Sequence, residues 1–571
     1  MNKNNFIRFL NPMQKRYEAI RSYYVDNLKP KQIAEKFNYS IHTVYKLLAQ
    51  LPNMDLKDIF NKLQRGPKTY HKRTLKIKDK IIALRKKNYS IPEISERLKK
   101  EKQQVSYDTI QRILNNEGFS RLFRRTKAEL YEIRQAEKIY PEKTDIKIFQ
   151  KMRGKYITAY AGIFLFLPII EELELYKIFS TTKFYGTKSI PKENYLLSYL
   201  TLKLLGRERK SHVTDLSFDE GLGIFVGLNS LPKTTALTQY SYRHPSGYTI
   251  DLLKKFGKKL YDKKLVKGNY LNVDFHPIPY YGRDETLDNN WIPLRNKNMK
   301  SILSFFVQDM ETNYLIFSDG EIDREERSYE IIRFIEHFKS ITGQYPRHLV
   351  FDSKVTTYEK LNILNELGIK FITLRRRGQK IRERISRIKD WKTINLNIPK
   401  RIYNNLKVRS EIIKVNNYDG KLREIVVTGT GRNLPMVVIT NDFESREKEI
   451  VTIYSKRWRI ENNIQENVDF FNLNAINSPV IVNVNFDIGM TLIANSLYKY
   501  LASKIKPLSK CKPKKVYRSL IETKGTITVE EKNIKVKFGP KSFNPYIMNL
   551  LEKKSDFLLP WFSNKSVSLD F

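Results

Sequence analysis

The chain reads as a multidomain protein: N-terminal all-α modules, a helical middle region, and an α/β domain. Three observations predict this class. The first 120 residues repeat one pattern of three short apolar helices. Residues 151–268 carry helical periodicity. From residue 269 onward, short β-branched and aromatic runs alternate with helical ones. The length of 571 residues suits several domains. A hydrophobic content of 41% excludes global disorder.

The net charge is +43, with 104 Lys and Arg against 61 Asp and Glu. Such an excess implies a polyanionic partner, most simply nucleic acid. A membrane surface is the rival polyanion. The most apolar run, Ala161 to Ile170, is too short to span a bilayer, which takes about 20 residues, and it contains Pro168. It reads as a buried helix. The opening MNKNNFIRFLNP has no apolar segment before a cleavage site, so no secretory signal is expected. Cys511 is the only cysteine, which excludes an intrachain disulfide and a cysteine zinc site. The charge is uneven. Residues 1–150 hold 34 Lys and Arg against 16 acids, residues 375–425 hold 16 against 5, and KPLSKCKPKK forms a third cluster. Several separate excesses fit a long polyanion touched at several places.

In chain order, residues 1–62 and 78–150 hold the two copies of the repeat. RYEAIRSYYVDNLKPKQIAEKFNYSIHTVYKLLAQL and KDKIIALRKKNYSIPEISERLKKEKQQVSYDTIQRIL share one plan. A helix is followed by a polar break ending in proline, a short helix, a turn, and a helix opened by Ser40 or Ser106. That is the helix-turn-helix plan, whose last helix enters the major groove. The base-facing candidates are His42, Thr43, Tyr45 and Lys46 in the first copy, and Tyr107, Asp108, Gln111 and Arg112 in the second. A plain helical bundle is the alternative. The linker, residues 63–77, contains Arg65, Gly66, Pro67 and Lys68. A basic arm of this kind can follow the minor groove, or can simply be solvated. Residues 151–268 read as a helical domain without assignable chemistry; its Arg207 to His212 segment could touch phosphates or be a loop.

Residues 269–378 read as three strands (269–275, 301–309, 314–317), a helix (328–339), a strand (348–351), a helix (358–367) and a strand (371–374). This is the order of the ribonuclease-H-like fold. Residues 379–446 read as short strands forming a β-rich insertion, residues 447–505 as the second part of the domain, and residues 506–571 as a basic C-terminal region.

Asp274 ends the first of these strands and Asp352 follows the fourth. In this topology the two strands are neighbours, so both carboxylates meet at one edge of the sheet. Hard divalent cations take such oxygen ligands. A third carboxylate is expected from a late helix. Tyr454, Arg457 and Glu461 share one helical face in YSKRWRIE, by their i, i+3, i+7 spacing. Each acid has a plainer reading: a turn residue for Asp274, an N-cap for Asp352, and a surface ion pair for Glu461. Asp309 and Asp319 are rival carboxylates that look like turn residues. His276 shares the face of Asp274 and could orient a water, or pack. Trp391 could stack on a base drawn from the duplex end, or pack the insertion's own core. No P-loop or dinucleotide fingerprint is present.

VFDS, then TTYEKLNILNELGIKFITLRRR, LPMVVITNDF and EIVTIYSKRWRIENNI resemble the DDE transposases of bacterial insertion sequences, in the group marked by a Tyr-x2-Arg-x3-Glu-x6-Lys signature. The resemblance implies a ribonuclease-H-like catalytic domain with Asp274, Asp352 and Glu461 as its triad. It implies Mg²⁺ or Mn²⁺, as two ions, and phosphate contacts from Tyr454 and Arg457. It also implies double-stranded DNA as partner, both element ends and target, a homodimer on DNA, and a cytoplasmic, nucleoid-associated location with no membrane. The signature lysine falls on Val468. The expected activity is cleavage and strand transfer at element ends. The alternatives are a nuclease of this fold without strand transfer, and a non-catalytic DNA-binding protein.

Overall fold

The computed structural model describes residues 12–50, 72–86, 89–101, 103–119, 122, 153–281, 287–320, 322, 326–398, 402–475, 481–551, 557–562 and 564–570. The chain divides into two compact units, residues 1–79 and 80–571.

In the first unit, helices Pro12–Tyr24, Pro30–Lys36 and Ile41–Gln50 close over Ala19, Ile33, Ala34, Phe37 and Val44. Pro30 stands at the first helical position, where its missing N–H breaks no helical bond. Ser40 opens the third helix by accepting the Thr43 backbone N–H at 3.1 Å. Within the second unit, helices Ile91–Lys100 and Tyr107–Asn116 follow the same design. Glu93 accepts the Ser90 N–H at 2.7 Å, and Ser106 accepts the Thr109 N–H at 3.3 Å. Ile94, Leu98, Ile110, Ile113 and Leu114 are buried.

Strand β1 (Gly154–Thr158) belongs to a second sheet, described below. The main sheet is built from β2 (Tyr270–Pro279), β3 (Asn289–Ile292), β4 (Lys297–Asp309), β5 (Leu315–Asp319), β6 (His348–Phe351) and β7 (Lys370–Leu374). Helix Glu330–Thr342 lies between β5 and β6, and helix Tyr358–Glu366 between β6 and β7. In the order β5-β4-β2-β6-β7, β2 and β6 are neighbours, as expected from the sequence. β2 runs antiparallel to β4 and parallel to β6, and β6 runs parallel to β7. β2 is longer than its apolar run suggested. It continues along β4 to Pro279, past its last pair with β6, Val273–Phe351. At that end of the sheet, Asp274 and Asp352 each follow one member of the last pair.

Four further strands extend the same sheet: β8 (Lys392–Asn395), β9 (Asn405–Ile413), β10 (Leu422–Thr428) and β11 (Met436–Thr440). They form an antiparallel meander, and β11 pairs with β7. Helices Glu447–Ser455, Trp458–Phe471 and Ile481–Lys504 follow. Trp458–Phe471 packs on β2, and Ile481–Lys504 packs against Lys192–Leu204 and Ser246–Asp262. Ile481–Lys504 is apolar nearly all round because it is buried nearly all round. Some of its polar residues are paired inside: Asn485 accepts the Gly320 N–H at 2.7 Å, and Asp487 accepts from Lys203 at 2.8 Å. Among the described residues no helix is long and apolar enough to cross a membrane.

The Ala161 to Ile170 run is buried as expected, but in two pieces. A 3₁₀ turn, Ala161–Phe166, leads into helix Leu167–Glu172 with Pro168 in its first turn. A Cβ on Gly162 would lie 2.0 Å from the Leu520 carbonyl oxygen, so only glycine admits this approach. Lys210, in the segment that could have touched phosphates, turns inward instead and donates to Ser241 and Asn483.

Residues 506–571, read from the sequence only as a basic region, contribute four strands. β12 (Gly525–Val529), β13 (Asn533–Phe538), β14 (Phe557–Leu559) and β15 (Lys565–Asp570) form a five-stranded sheet with β1, in the order β1-β12-β13-β15-β14. Ile534, Val536 and Phe538 face inward while Lys535 and Lys537 are exposed, the two-residue period of a strand with one wet face.

Candidate active site

Asp274 is carried by β2, and its Oδ1 accepts the Phe275 N–H at 2.9 Å. Asp352 follows β6, and its Oδ1 accepts the Ser353 N–H at 2.6 Å. Glu461 lies in the first turn of helix Trp458–Phe471, which packs on β2. Between them stands Arg457. Its guanidinium donates to Asp274 Oδ2 at 3.2 Å and also to Glu461 Oε1. Tyr454 is buried, with its ring centroid 5.9 Å from the Arg457 guanidinium carbon.

The expectation of one continuous helix through Tyr454 and Glu461 needs correction. Helix Glu447–Ser455 stops, and a new helix starts at Trp458. At the joint, the N–H groups of Lys456, Arg457 and Ile460 reach back three residues rather than four. This tight turn still keeps Tyr454, Arg457 and Glu461 together.

The electrostatics tie the five side chains into one group. Burial pushes the Asp274 carboxyl up to about 6; Arg457 opposes this, while the charges of Glu461 and Asp352 add to it. Burial raises the Tyr454 phenol well above its usual range, with Arg457 opposing and Asp352 and Asp274 adding. Burial disfavours the Arg457 charge, but Tyr454, Asp274 and Glu461 outweigh it, so the guanidinium is held more firmly charged than usual. Asp274 thus feels two further carboxylates, with one guanidinium opposing them. Oxygen donors of this kind suit a hard divalent cation. The geometry is nevertheless closed: among the described residues no three His, Cys, Asp or Glu side chains converge as a cation cage.

The rival acids are structural. Asp309 is fully buried and accepts the N–H groups of Lys267, Gly268, Glu311 and Thr312 at 2.7–2.9 Å. Asp319 is buried beside Glu330. His276 is held by Asn474 at 2.7 Å, and burial lowers its pKa, as befits the packing reading. Trp391 packs on the cluster of Ile385, Val426 and Val437, and its indole N–H donates to the Ile388 carbonyl at 3.0 Å. This too is the packing reading. Val468 packs against the main core, so the signature's lysine position is apolar here.

In the N-terminal helices His42, Tyr45 and Lys46 are exposed, as are Tyr107, Asp108 and Arg112. Gln111 is half-buried. Thr43 is engaged with Ser40, their hydroxyls 2.7 Å apart. Arg65 and Lys68 lie outside the described residues. One feature escaped the sequence reading. A cavity of about 320 Å³ opens beside Asp352, walled by Ser353, Thr356, Tyr358, Thr373, Arg376 and Asn417. Its only trace in the sequence is the polar run that follows Asp352.

The family described as Transposase DDE domain matches residues 329–494. The stretch contains Asp352, Tyr454, Arg457 and Glu461 and begins after Asp274. Most of the acidic cluster and part of the sheet thus lie within the stretch that is similar to this family. The resemblance to the insertion-sequence DDE transposases, first seen in the residues alone, is supported over this stretch. No curated protein matches the chain.

Proposed function

We propose that the chain is an insertion-sequence transposase that cuts a phosphodiester at an element end and joins the freed 3′-hydroxyl to target DNA. The observation that carries this reading is that Arg457 ties Asp274 to Glu461 at the end of the sheet where Asp352 follows β6. The three carboxylates would hold Mg²⁺ or Mn²⁺, as two ions. Bound there, metal supplies an activated water or 3′-hydroxyl and stabilises the leaving oxygen. Cutting and joining are both in-line displacements at phosphorus, so one site serves both. Arg457 supplies a two-pronged donor for phosphate oxygens. Tyr454, kept protonated by burial, supplies a hydroxyl donor. The cavity beside Asp352 offers polar and aromatic walls to a nucleotide flanking the cut.

In this reading the N-terminal helix groups are helix-turn-helix modules that hold the terminal repeats. His42, Tyr45, Lys46, Tyr107 and Arg112 face the bases, with Gln111 at the edge of that face. Arg65 and Lys68, in the basic sequence between the modules, contact the DNA minor groove. Strands β8 to β11 form an insertion in the catalytic domain, and the protein acts on DNA as a homodimer. The Asp274→Ala, Asp352→Ala and Glu461→Ala variants test the site. Each is expected to abolish Mg²⁺-dependent cutting and joining of end-bearing DNA while retaining DNA binding. Cutting that persists in all three refutes the assignment. Cutting without joining in the wild type makes the protein a nuclease, and specific binding without cutting makes it a non-catalytic DNA-binding protein.

A further inference from the structure

We infer that Arg457 gates the metal site: in DNA-free protein it ties Asp274 to Glu461, and a DNA phosphate must draw it away before the carboxylates take metal. The inference rests on the proposed function and deepens it. Arg457 and Asp274 are mostly enclosed, with side chains 16% and 19% exposed, whereas Glu461 is 53% exposed. The guanidinium therefore has one anchored partner and one that can move.

Three facts point to competition rather than coexistence. Asp274 Oδ2 and Glu461 Oε1, both bonded to Arg457, are oxygens that a cation between strand and helix would need. Asp274 feels Asp352 and Glu461, yet no cation cage of three such groups is formed among the described residues. The bridging guanidinium holds Asp274 and Glu461 at the separation its fork demands. A phosphate offers that fork an equally matched pair of oxygens. Transfer of Arg457 to a phosphate leaves Asp274 and Glu461 facing each other uncompensated, and a divalent cation is then the counter-charge they lack. DNA binding would thus switch on metal binding. By reciprocity, metal would tighten the grip on DNA by the same factor.

The test is Mn²⁺ binding to the full-length protein, read from the electron paramagnetic resonance signal of free Mn²⁺. Without DNA, Arg457→Gln is expected to bind Mn²⁺ roughly tenfold more tightly than wild type, a coupling of ordinary size. Arg459→Gln removes a nearby charge that donates instead to the Met310 carbonyl; it is expected to stay within about twofold of wild type. Adding a phosphate-bearing duplex end is expected to tighten Mn²⁺ binding by wild type and by Arg459→Gln, but to leave Arg457→Gln nearly unchanged. Arg457→Lys keeps the charge without the fork and is expected to fall between wild type and Arg457→Gln. It carries the test if circular dichroism shows Arg457→Gln unfolded. Equal or weaker Mn²⁺ binding by the folded Arg457 variant overturns the gate, as does an equal gain from Arg459→Gln. If Asp274→Ala and Asp352→Ala bind Mn²⁺ as wild type does, the metal lies elsewhere and the proposed site itself fails.

Discussion

At the scale of single residues, the chain separates acids that hold the fold from the acids that Arg457 ties together at the sheet end. Asp309 illustrates the first kind. Buried and saturated by backbone N–H groups from two segments, it staples the turn after β4 to the start of β2. Asp309→Ala leaves those donors unpaired, and the expected loss is about 2–4 kcal/mol, measured by urea unfolding, with Mn²⁺ affinity unchanged. A loss of Mn²⁺ binding in the folded variant would move Asp309 into the site. The residue spacing showed that Tyr454, Arg457 and Glu461 lie on one side of the chain. It could not show what lies opposite. Arg457 meets Asp274 across 183 positions, a contact set by the packing of a helix on β2. The same holds for Trp391. An indole in a basic stretch suits DNA as well as it suits a core, and only Ile385, Val426 and Val437 decide between them.

At the scale of elements, most of the main sheet was legible because those strands carry their own signal. Runs such as NYLNVDF and SILSFFVQD are too apolar and β-branched for loops, and their order leaves few topologies. The break at Lys456 and Arg457 was not legible, because every residue from Glu447 to Phe471 tolerates a helix. Helix Glu330–Thr342 carries an expectation of its own. Burial pushes Glu330 up to about 8; Asp319 adds to this, Arg333 opposes it, and Glu326 adds a little. An acid whose pKa is higher folded than unfolded keeps its proton in the native state and loses it on unfolding. Its contribution therefore favours the fold most near pH 5 and fades as pH rises toward 8. Melting temperatures of wild type are expected to fall across that interval relative to Glu330→Gln, by at most about 1.4 kcal/mol of stability per unit of pKa shift. Parallel profiles for the two proteins would show that Glu330 does not titrate in this way.

At the scale of the whole molecule, the C-terminal residues are structural partners of the middle region. β1 pairs with β12 across some 370 positions. The Trp561 indole donates to the Phe225 carbonyl at 3.1 Å and stacks on Tyr176 at 4.8 Å. Contacts this remote leave no local pattern, which is why the sequence showed only a basic region where the structure has strands. Trp561→Ala is expected to cost about 3–5 kcal/mol, read as a lowered denaturant midpoint. A midpoint within experimental error of wild type would mean that the segment only rests on its neighbours.

If carboxylates from separate elements of the larger unit form one site, they must fail as one. The most direct measurement is single-turnover Mg²⁺-dependent cleavage of end-bearing duplex by Asp274→Ala, Asp352→Ala and the double variant. Each single variant is expected to fall by at least about a thousandfold, and the double variant to be no slower than the slower single, because groups acting as a unit lose their effect together. Either single variant retaining cleavage within about tenfold of wild type, or two losses that multiply in the double variant, would contradict it.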